Sequence, residues 1–272
     1  MKSTDIRNPD TFHKVVDCQW ACPAHTPVPE YIRMIAAGRY ADAYMVNWRS
    51  NVFPGILGRT CDRPCEPACR RGRVEENNGS VPDKSAPEPV AICRLKRVAA
   101  DFKGDVHERM PSPATHKNGK RIACVGAGPS ALTVARDLAP LGYGVTVFEA
   151  DPKPGGFMRT QVPRFRLPEA VIDEETGYIL EMGVEFIGNH RIESMRDLLA
   201  QGYDAIFVGS GAPRGRDLDI PGRKEAAGQI HVGLDWLSSV YFGHVTKVGK
   251  RVLVLGGGNT AMDCCRSARR LG

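Results

Sequence analysis

Six cysteines near the start of the chain are spaced for chemistry. Cys18 and Cys22 form C-x3-C, 38 residues intervene, Cys61, Cys65 and Cys69 form C-x3-C-x3-C, and Cys93 follows. Four thiolates hold a [4Fe–4S] cluster. They also suit tetrahedral Zn2+, and spacing alone does not separate the two. Pro23, Pro64 and Pro67 interrupt any local helix and leave loops able to wrap a cluster, and a Cys-Pro step is frequent beside such centres. Iron is the favoured reading, because dinucleotide sites follow in the same chain and a redox chain has a use for it.

The second chemistry-bearing stretch is Arg121 to Asp151, RIACVGAGPSALTVARDLAPLGYGVTVFEAD. Ile122–Val125 is a short apolar run of the kind that makes a buried parallel strand. Gly126, Gly128 and Ala131 follow in G-x-G-x-x-A spacing: the first permits a tight turn, the second lets backbone approach a pyrophosphate, and the third packs helix on strand. Leu132, Ala135 and Leu138 recur at helical spacing, Gly142 and Gly144 end the helix, and Val145–Phe148 form the next strand. Glu149 closes that strand about twenty residues beyond the glycines, where a carboxylate accepts hydrogen bonds from ribose hydroxyls. A glycine trio alone is weak evidence, but here strand, turn, helix, second strand and acid stand in order. The signature repeats at Lys250–Leu255, a predicted strand, followed by Gly256, Gly257 and Gly258 and a helix opening at Asn259 and Thr260. Two such units imply two dinucleotides.

Elements that position these residues can be read around them. Pro27 and Pro29 open a helix, PEYIRMIAAG, which Gly38 ends; YADAYMVNWRS is a second, and the two can pack as a hairpin between the cysteine groups. Residues 72–89 are rich in polar and turn-forming types and read as a loop, and a helix opens near Cys93. KGDVHERMPSPATHKNG reads as a linker. PRFRLPEAVIDEETGYILEMGVEFIG reads as loop, helix and strand, and YDAIFVGSGAP as a further strand running into a glycine turn. The domains expected are a helical module over 1–119, a nucleotide domain over 120–219, and a second nucleotide unit over 220–272. The strand that would read a second adenosine ribose is absent, so the sequence reads as a fragment of a longer protein.

Composition sets the outer bounds. Of 272 residues 42% are hydrophobic and 25% charged, as in an ordinary globular chain. No apolar run is long enough to span a bilayer, and the polar MKSTDIRNPDTFHK has no apolar signal region, so a cytoplasmic protein with reduced thiols is expected. The net charge of +6 raises nucleic acid as a partner. Arg59, Arg63, Arg70, Arg71 and Arg73 crowd the cysteines, however, and are expected to balance a thiolate-rich centre instead, so no nucleic-acid partner is expected. Cys124, Cys264 and Cys265 are expected to be packing residues, and His13, His25, His231 and His244 surface or packing residues.

Taken in order, CQWACP, VPEYI, GRTCDRPCEPACRRG, VAICRLKRVAAD, the first glycine fingerprint, PGGF, PRFRLP, IPG and GGGNTAMDCCRSARRLG resemble the small subunit of bacterial glutamate synthase. They equally resemble the N-terminal half of dihydropyrimidine dehydrogenase and related NADPH:ferredoxin oxidoreductase subunits. The resemblance covers essentially the whole chain. It implies an α/β protein: an N-terminal all-α iron–sulfur module, a doubly wound Rossmann-like FAD domain, and the start of an NAD(P)-binding domain. FAD contacts would fall on Gly126, Ala127, Gly128, Pro129 and Ser130, with Glu149 on the ribose. Phe157, Arg166 and Ile192 match further contact positions, and Thr60 would lie near the flavin. The nicotinamide dinucleotide would sit on Gly257, Gly258, Asn259 and Thr260. In two-cluster relatives Cys22, Cys61 and Cys65 would serve one cluster and Cys18 and Cys69 the other. Those relatives carry further cysteines upstream, and residues 1–17 here have none, so one cluster is expected. Its fourth family ligand is often Gln or Glu at the position of Lys96, a poor ligand. Cys93, one helical turn earlier, could replace it, as could Cys18 or Cys69.

The function expected is electron input: NAD(P)H reduces FAD, FAD supplies single electrons to a [4Fe–4S] cluster, and the cluster feeds a partner subunit or fused domain. No catalytic acid or base is required for hydride transfer. A flavin thiol–disulfide reductase is one alternative; it needs a cysteine pair facing the flavin, and vicinal Cys264–Cys265 sit in the wrong element. A non-catalytic, metal-bearing interaction subunit is the other.

Overall fold

The computed structural model describes residues 16–72 and 88–272. His13, Arg73 and the body of the polar loop read over 72–89 lie outside them. The chain divides into two compact units, Met1–Met110 and Pro111–Gly272. The sequence placed this boundary after residue 119. Residues 111–119 side with the second unit, where Asn118 N–H donates to Gly142 O at 3.0 Å.

The first unit is helical: α1 (Asp17–Ala21), α2 (Val28–Ala36), α3 (Tyr40–Asn51), α4 (Pro54–Thr60) and α5 (Ile92–Asp101). Pro27 and Pro29 flank the start of α2 as read, and Gly38, at φ +73°, follows its end. Its core joins Val28, Tyr31, Ala43, Val46, Ile92 and Ala99 to Cys65 and Cys69, with Cys18 packed against it. Tyr31 is fully buried, and its hydroxyl donates to Ile92 O at 3.3 Å. The sequence reading missed α4, because Pro54, Gly55 and Gly58 look like breakers. Pro54 sits in the first turn, where its missing N–H costs nothing. Gly58 faces α5 so closely that a Cβ would stand 2.8 Å from Arg97 Cα. Glycine there is what lets α4, leading into Cys61, lie against α5, which carries Cys93.

The second unit is built on a parallel sheet of order β3-β2-β1-β4, with β1 Arg121–Val125, β2 Gly144–Phe148, β3 Glu185–Ile187 and β4 Ala205–Val208. Parallel strands require crossovers. Helix α6 (Pro129–Leu138) links β1 to β2, α7 (Phe157–Thr160) and α8 (Glu169–Leu180) link β2 to β3, and α9 (Met195–Ala200) links β3 to β4. This is the first part of the doubly wound order. Ala123, Val125, Phe148, Leu198 and Tyr203 form the core of one face. Beyond β4 stand α10 (Gly233–Tyr241) and α11 (Asn259–Leu271).

One expected strand does not form. Residues 251–255 join no sheet among the described residues, and Leu253 is 84% exposed. An apolar run becomes a strand only when a neighbouring strand takes its backbone groups, and none stands beside it.

Candidate functional site

In the first unit the thiols fall into two groups. Cys61, Cys65 and Cys93 share one electrostatic neighbourhood, and the charge of Cys22 reaches Cys65. Cys18 feels Cys69 instead. The neighbouring Cys93 thiol holds the Cys61 thiol well below its ordinary range. Cys61 and then burial push Cys93 up, and the Cys93 S–H donates to Leu57 O at 3.3 Å. Burial pushes Cys65 up to about 11, against the pull of Lys96. Tyr31 is raised by burial, then by Cys65, Cys93, Cys18 and Cys22, so its ring sits within reach of both groups.

Local bonds fix these sulfurs. Arg63 N–H donates to Cys61 Sγ at 3.3 Å from a turn in which Arg63 has φ +59°. Glu66 Oε1 accepts the Cys93 N–H at 3.0 Å, which ties the Cys61–Cys69 loop to the start of α5, where the helix dipole favours a carboxylate. Cys22 Sγ lies 3.5 Å from Thr26 Oγ1. The crowd of arginines is not spent on sulfur as the sequence suggested. Arg59 pairs with Asp101 at 2.5 Å, Arg70 with Asp17 at 3.0 Å and Arg63 with Glu66 at 3.7 Å, while Arg71 donates to Glu88 O. The cation whose field reaches Cys61, Cys65 and Cys93 is Lys96.

Among the described residues no three His, Cys, Asp or Glu side chains converge as a single-ion site. A zinc ion needs all its donors on one atom, whereas a cluster takes its thiolates on different irons and so spreads them. The donor set fits a cluster in kind: soft sulfurs, with Cys65 and Cys93 buried and a backbone N–H aimed at Cys61. Thr60 ends α4 in this unit and bonds its own helix, Oγ1 to Ile56 O at 2.9 Å.

In the second unit the glycine turn is built as its spacing implies. Gly126 has φ +96°, and a Cβ on it would lie 2.5 Å from Gly209 O. Gly128 differs: a Cβ there would meet nothing within 4 Å. No protein packing demands glycine at 128, which fits a turn kept bare for a pyrophosphate against the N-terminus of α6. Pro129 opens α6 and Ser130 is exposed at its first turn. Buried Ala127 donates its N–H to Glu149 Oε2 at 2.7 Å and accepts from Gly155 N–H at 2.8 Å. Gly156 packs on Gly128, and exposed Phe157 follows at the start of α7. These residues therefore gather at one end of the sheet.

Two residues expected near the flavin make contacts within the protein. The Ile192 side chain packs against the β1–β2 core. Arg166 donates through Nη1 to buried Asp263 on α11 at 2.6 Å. Its neighbours dock the same loop: Arg164 stacks on Tyr241, and Arg270 and Arg266 on Phe165. No signal in the sequence marked the pairing of Arg166 with Asp263.

The second glycine turn is exposed over Gly257, Gly258, Asn259 and Thr260. Gly256 has φ +123°, Gly258 caps α11, and Cβ atoms at 257 and 258 would meet nothing. Cys124 and Cys264 are buried as expected, but Cys265 is exposed, because successive helical positions face different ways. The vicinal pair is thus split between core and solvent.

Comparison with known proteins follows the same division. Residues 13–107 match the family described as dihydropyrimidine dehydrogenase domain II, 4Fe-4S cluster. Residues 124–200 match an NAD(P)-binding Rossmann-like domain, and residues 184–272 match pyridine nucleotide-disulphide oxidoreductase. The chain is 36% identical to NADPH-Fe(3+) oxidoreductase subunit beta of Geobacter sulfurreducens, over 99% of this chain and 40% of that protein. It is 35% identical to NADP(+)-dependent formate dehydrogenase subunit beta of Moorella thermoacetica, over 94% of this chain and 38% of that one. It is 31% identical to glutamate synthase [NADPH] small chain of Mycobacterium tuberculosis, over 94% of this chain and 52% of that one. The chain therefore spans about half or less of the length of these relatives. The resemblance read from the motifs holds: the chain is similar to the glutamate synthase small chain and to NADPH-Fe(3+) oxidoreductase subunit beta, and it matches an iron–sulfur domain ahead of Rossmann-like nucleotide domains.

Proposed function

We propose that this chain, similar to the glutamate synthase small chain, is the electron-input part of an NAD(P)H-dependent flavin and iron–sulfur oxidoreductase that serves a partner subunit or fused domain. Residues 1–110 would form the cluster module, 111–219 the FAD domain and 220–272 the opening of the NAD(P) domain. When bound, the flavin accepts hydride from the nicotinamide and the cluster carries single electrons. The residues' own part is to hold and orient. Gly126–Ser130 present backbone to a pyrophosphate, Glu149 is placed for a ribose, and Phe157 stands at the rim. Gly257, Gly258, Asn259 and Thr260 offer the second cradle. Cys22, Cys61, Cys65 and Cys93 are the set we assign to the cluster, with Cys18 and Cys69 outside it.

The observation that carries the reading is the bare Gly128 beside the Glu149–Ala127 bond: a turn shaped for a ligand, not for packing. Relatives named as subunits support a redox partner. No described helix is long and apolar enough to cross a membrane, and a cytoplasmic location is part of the proposal. The test is anaerobic addition of NADPH or NADH to the full-length protein. Bleaching of the flavin spectrum is expected; a flavin that stays oxidised with both donors would refute the assignment. Iron quantitation on Cys93→Ala tests the ligand set, and full retention of iron would remove Cys93 from it.

A further inference from the structure

Lys96 is a buried cation on the helix that carries Cys93. It is 5% exposed and lies on α5 one turn beyond Cys93, so both occupy one helical face. No ion pair among the described residues engages it, the neighbouring arginines being committed to Asp101, Asp17 and Glu66. Burying an ammonium without a carboxylate is costly, and the cost is offset only where negative charge collects. Four thiolates around an iron–sulfur core supply that charge, and each reduction adds one more negative charge to it. Cluster potentials respond to net charge and to the polarity of their surroundings.

We propose that Lys96 sets the reduction potential of the cluster held by Cys22, Cys61, Cys65 and Cys93, as a buried counter-charge that favours the reduced state. The inference rests on the cluster reading of these thiols. Lys96 ligates nothing and exchanges no proton: one electron enters the cluster, from dithionite in the test or from the NAD(P)H-reduced flavin in turnover, and no bond changes at the side chain. It is a positioning residue in the electrostatic sense.

The test uses the full-length protein purified anaerobically as wild type, Lys96→Met, Lys96→Leu and Lys96→Arg. Iron and sulfide are quantified, and the reduced cluster is followed by electron paramagnetic resonance through a dithionite titration. Whichever neutral variant assembles a cluster is expected to keep wild-type iron content and to show a reduction equilibrium roughly tenfold less favourable, about 59 mV lower for one electron. Lys96→Arg is expected to stay close to wild type. A neutral variant with full iron and an unchanged potential would overturn the proposal. Failure of both neutral variants to assemble any cluster would overturn it too, since Lys96 would then serve assembly and not potential. A wild-type protein without iron is a different result, and defeats the cluster reading itself.

Discussion

Glu149 Oε2 accepts the Ala127 N–H at 2.7 Å, joining the end of β2 to the turn after β1. The same carboxylate takes the Asp151 N–H through Oε1 at 3.1 Å. The carboxylate proposed for a ribose and the glycine turn proposed for a pyrophosphate are thus one hydrogen-bonded piece. Glu149→Ala leaves a buried amide without its acceptor, at a cost of about 1–3 kcal/mol. Denaturant unfolding is expected to show that loss, and the flavin-to-protein ratio of the purified protein is expected to fall with it.

The two glycines of the first turn separate folding from binding. Gly126→Ala forces an L side chain into φ +96° and drives a Cβ to 2.5 Å from Gly209 O. A loss of about 2 kcal/mol or more is expected. Gly128→Ala meets open space, and its stability should stay within about 0.5 kcal/mol of wild type. Its flavin affinity should nevertheless drop by at least about tenfold, because the methyl occupies the approach to the pyrophosphate. Paired unfolding and flavin-binding measurements check this, and a Gly128→Ala protein with full flavin content would refute the cradle.

In both units the elements set by local pattern were legible in the sequence, α2, α3 and α5 in the first as well as β1, α6 and β2 in the second. β1, α6 and β2 obey local rules: an apolar run, a glycine turn and helical periodicity each act within a few residues. Helix α4 escaped because Gly58 is explained only by Arg97 on α5, a partner nearly forty positions away. Arg166 was read as a cofactor contact by resemblance, and no local signal marked Asp263, on a distant helix, as the partner of its guanidinium. The arginines near the cysteines were assigned to sulfur by proximity in sequence, while carboxylates from other elements claim Arg59 and Arg70. The strand at 250–255 failed for the same reason: apolar content is local, but a sheet partner is not.

Acid should loosen the clamp between α4 and α5. Burial alone would raise the Asp101 carboxyl; hydrogen bonds from Arg59 and Arg97 outweigh it and hold it below the ordinary range. A lowered carboxylate contributes stability above its unfolded value, near 3.9, and loses it as pH falls through the native value. The site is partly exposed, so Asp101→Asn should cost only about 1 kcal/mol at neutral pH. The gap between variant and wild type should narrow progressively as pH falls below about 4 toward the lowered native value. Thermal unfolding across pH 3 to 7 reads it out, and a gap that does not narrow toward the acid end would rule out the clamp.

The Arg166–Asp263 pair decides between a brace and a cofactor contact. Asp263 is 6% exposed at its side chain and Arg166 21%, so the pair is mostly out of water. Removing one partner of a buried pair strands the other, at about 3–5 kcal/mol when fully buried. The exposure of Arg166 lowers the expectation to about 2 kcal/mol for either Arg166→Ala or Asp263→Ala. The double variant should cost less than the sum of the singles, leaving a coupling of about 1 kcal/mol or more. A brace predicts equal losses from both sides and flavin content that tracks stability. Were Arg166→Ala to lose flavin while folding as well as wild type, and Asp263→Ala to keep it, the guanidinium would belong to the cofactor and the ion pair would be incidental.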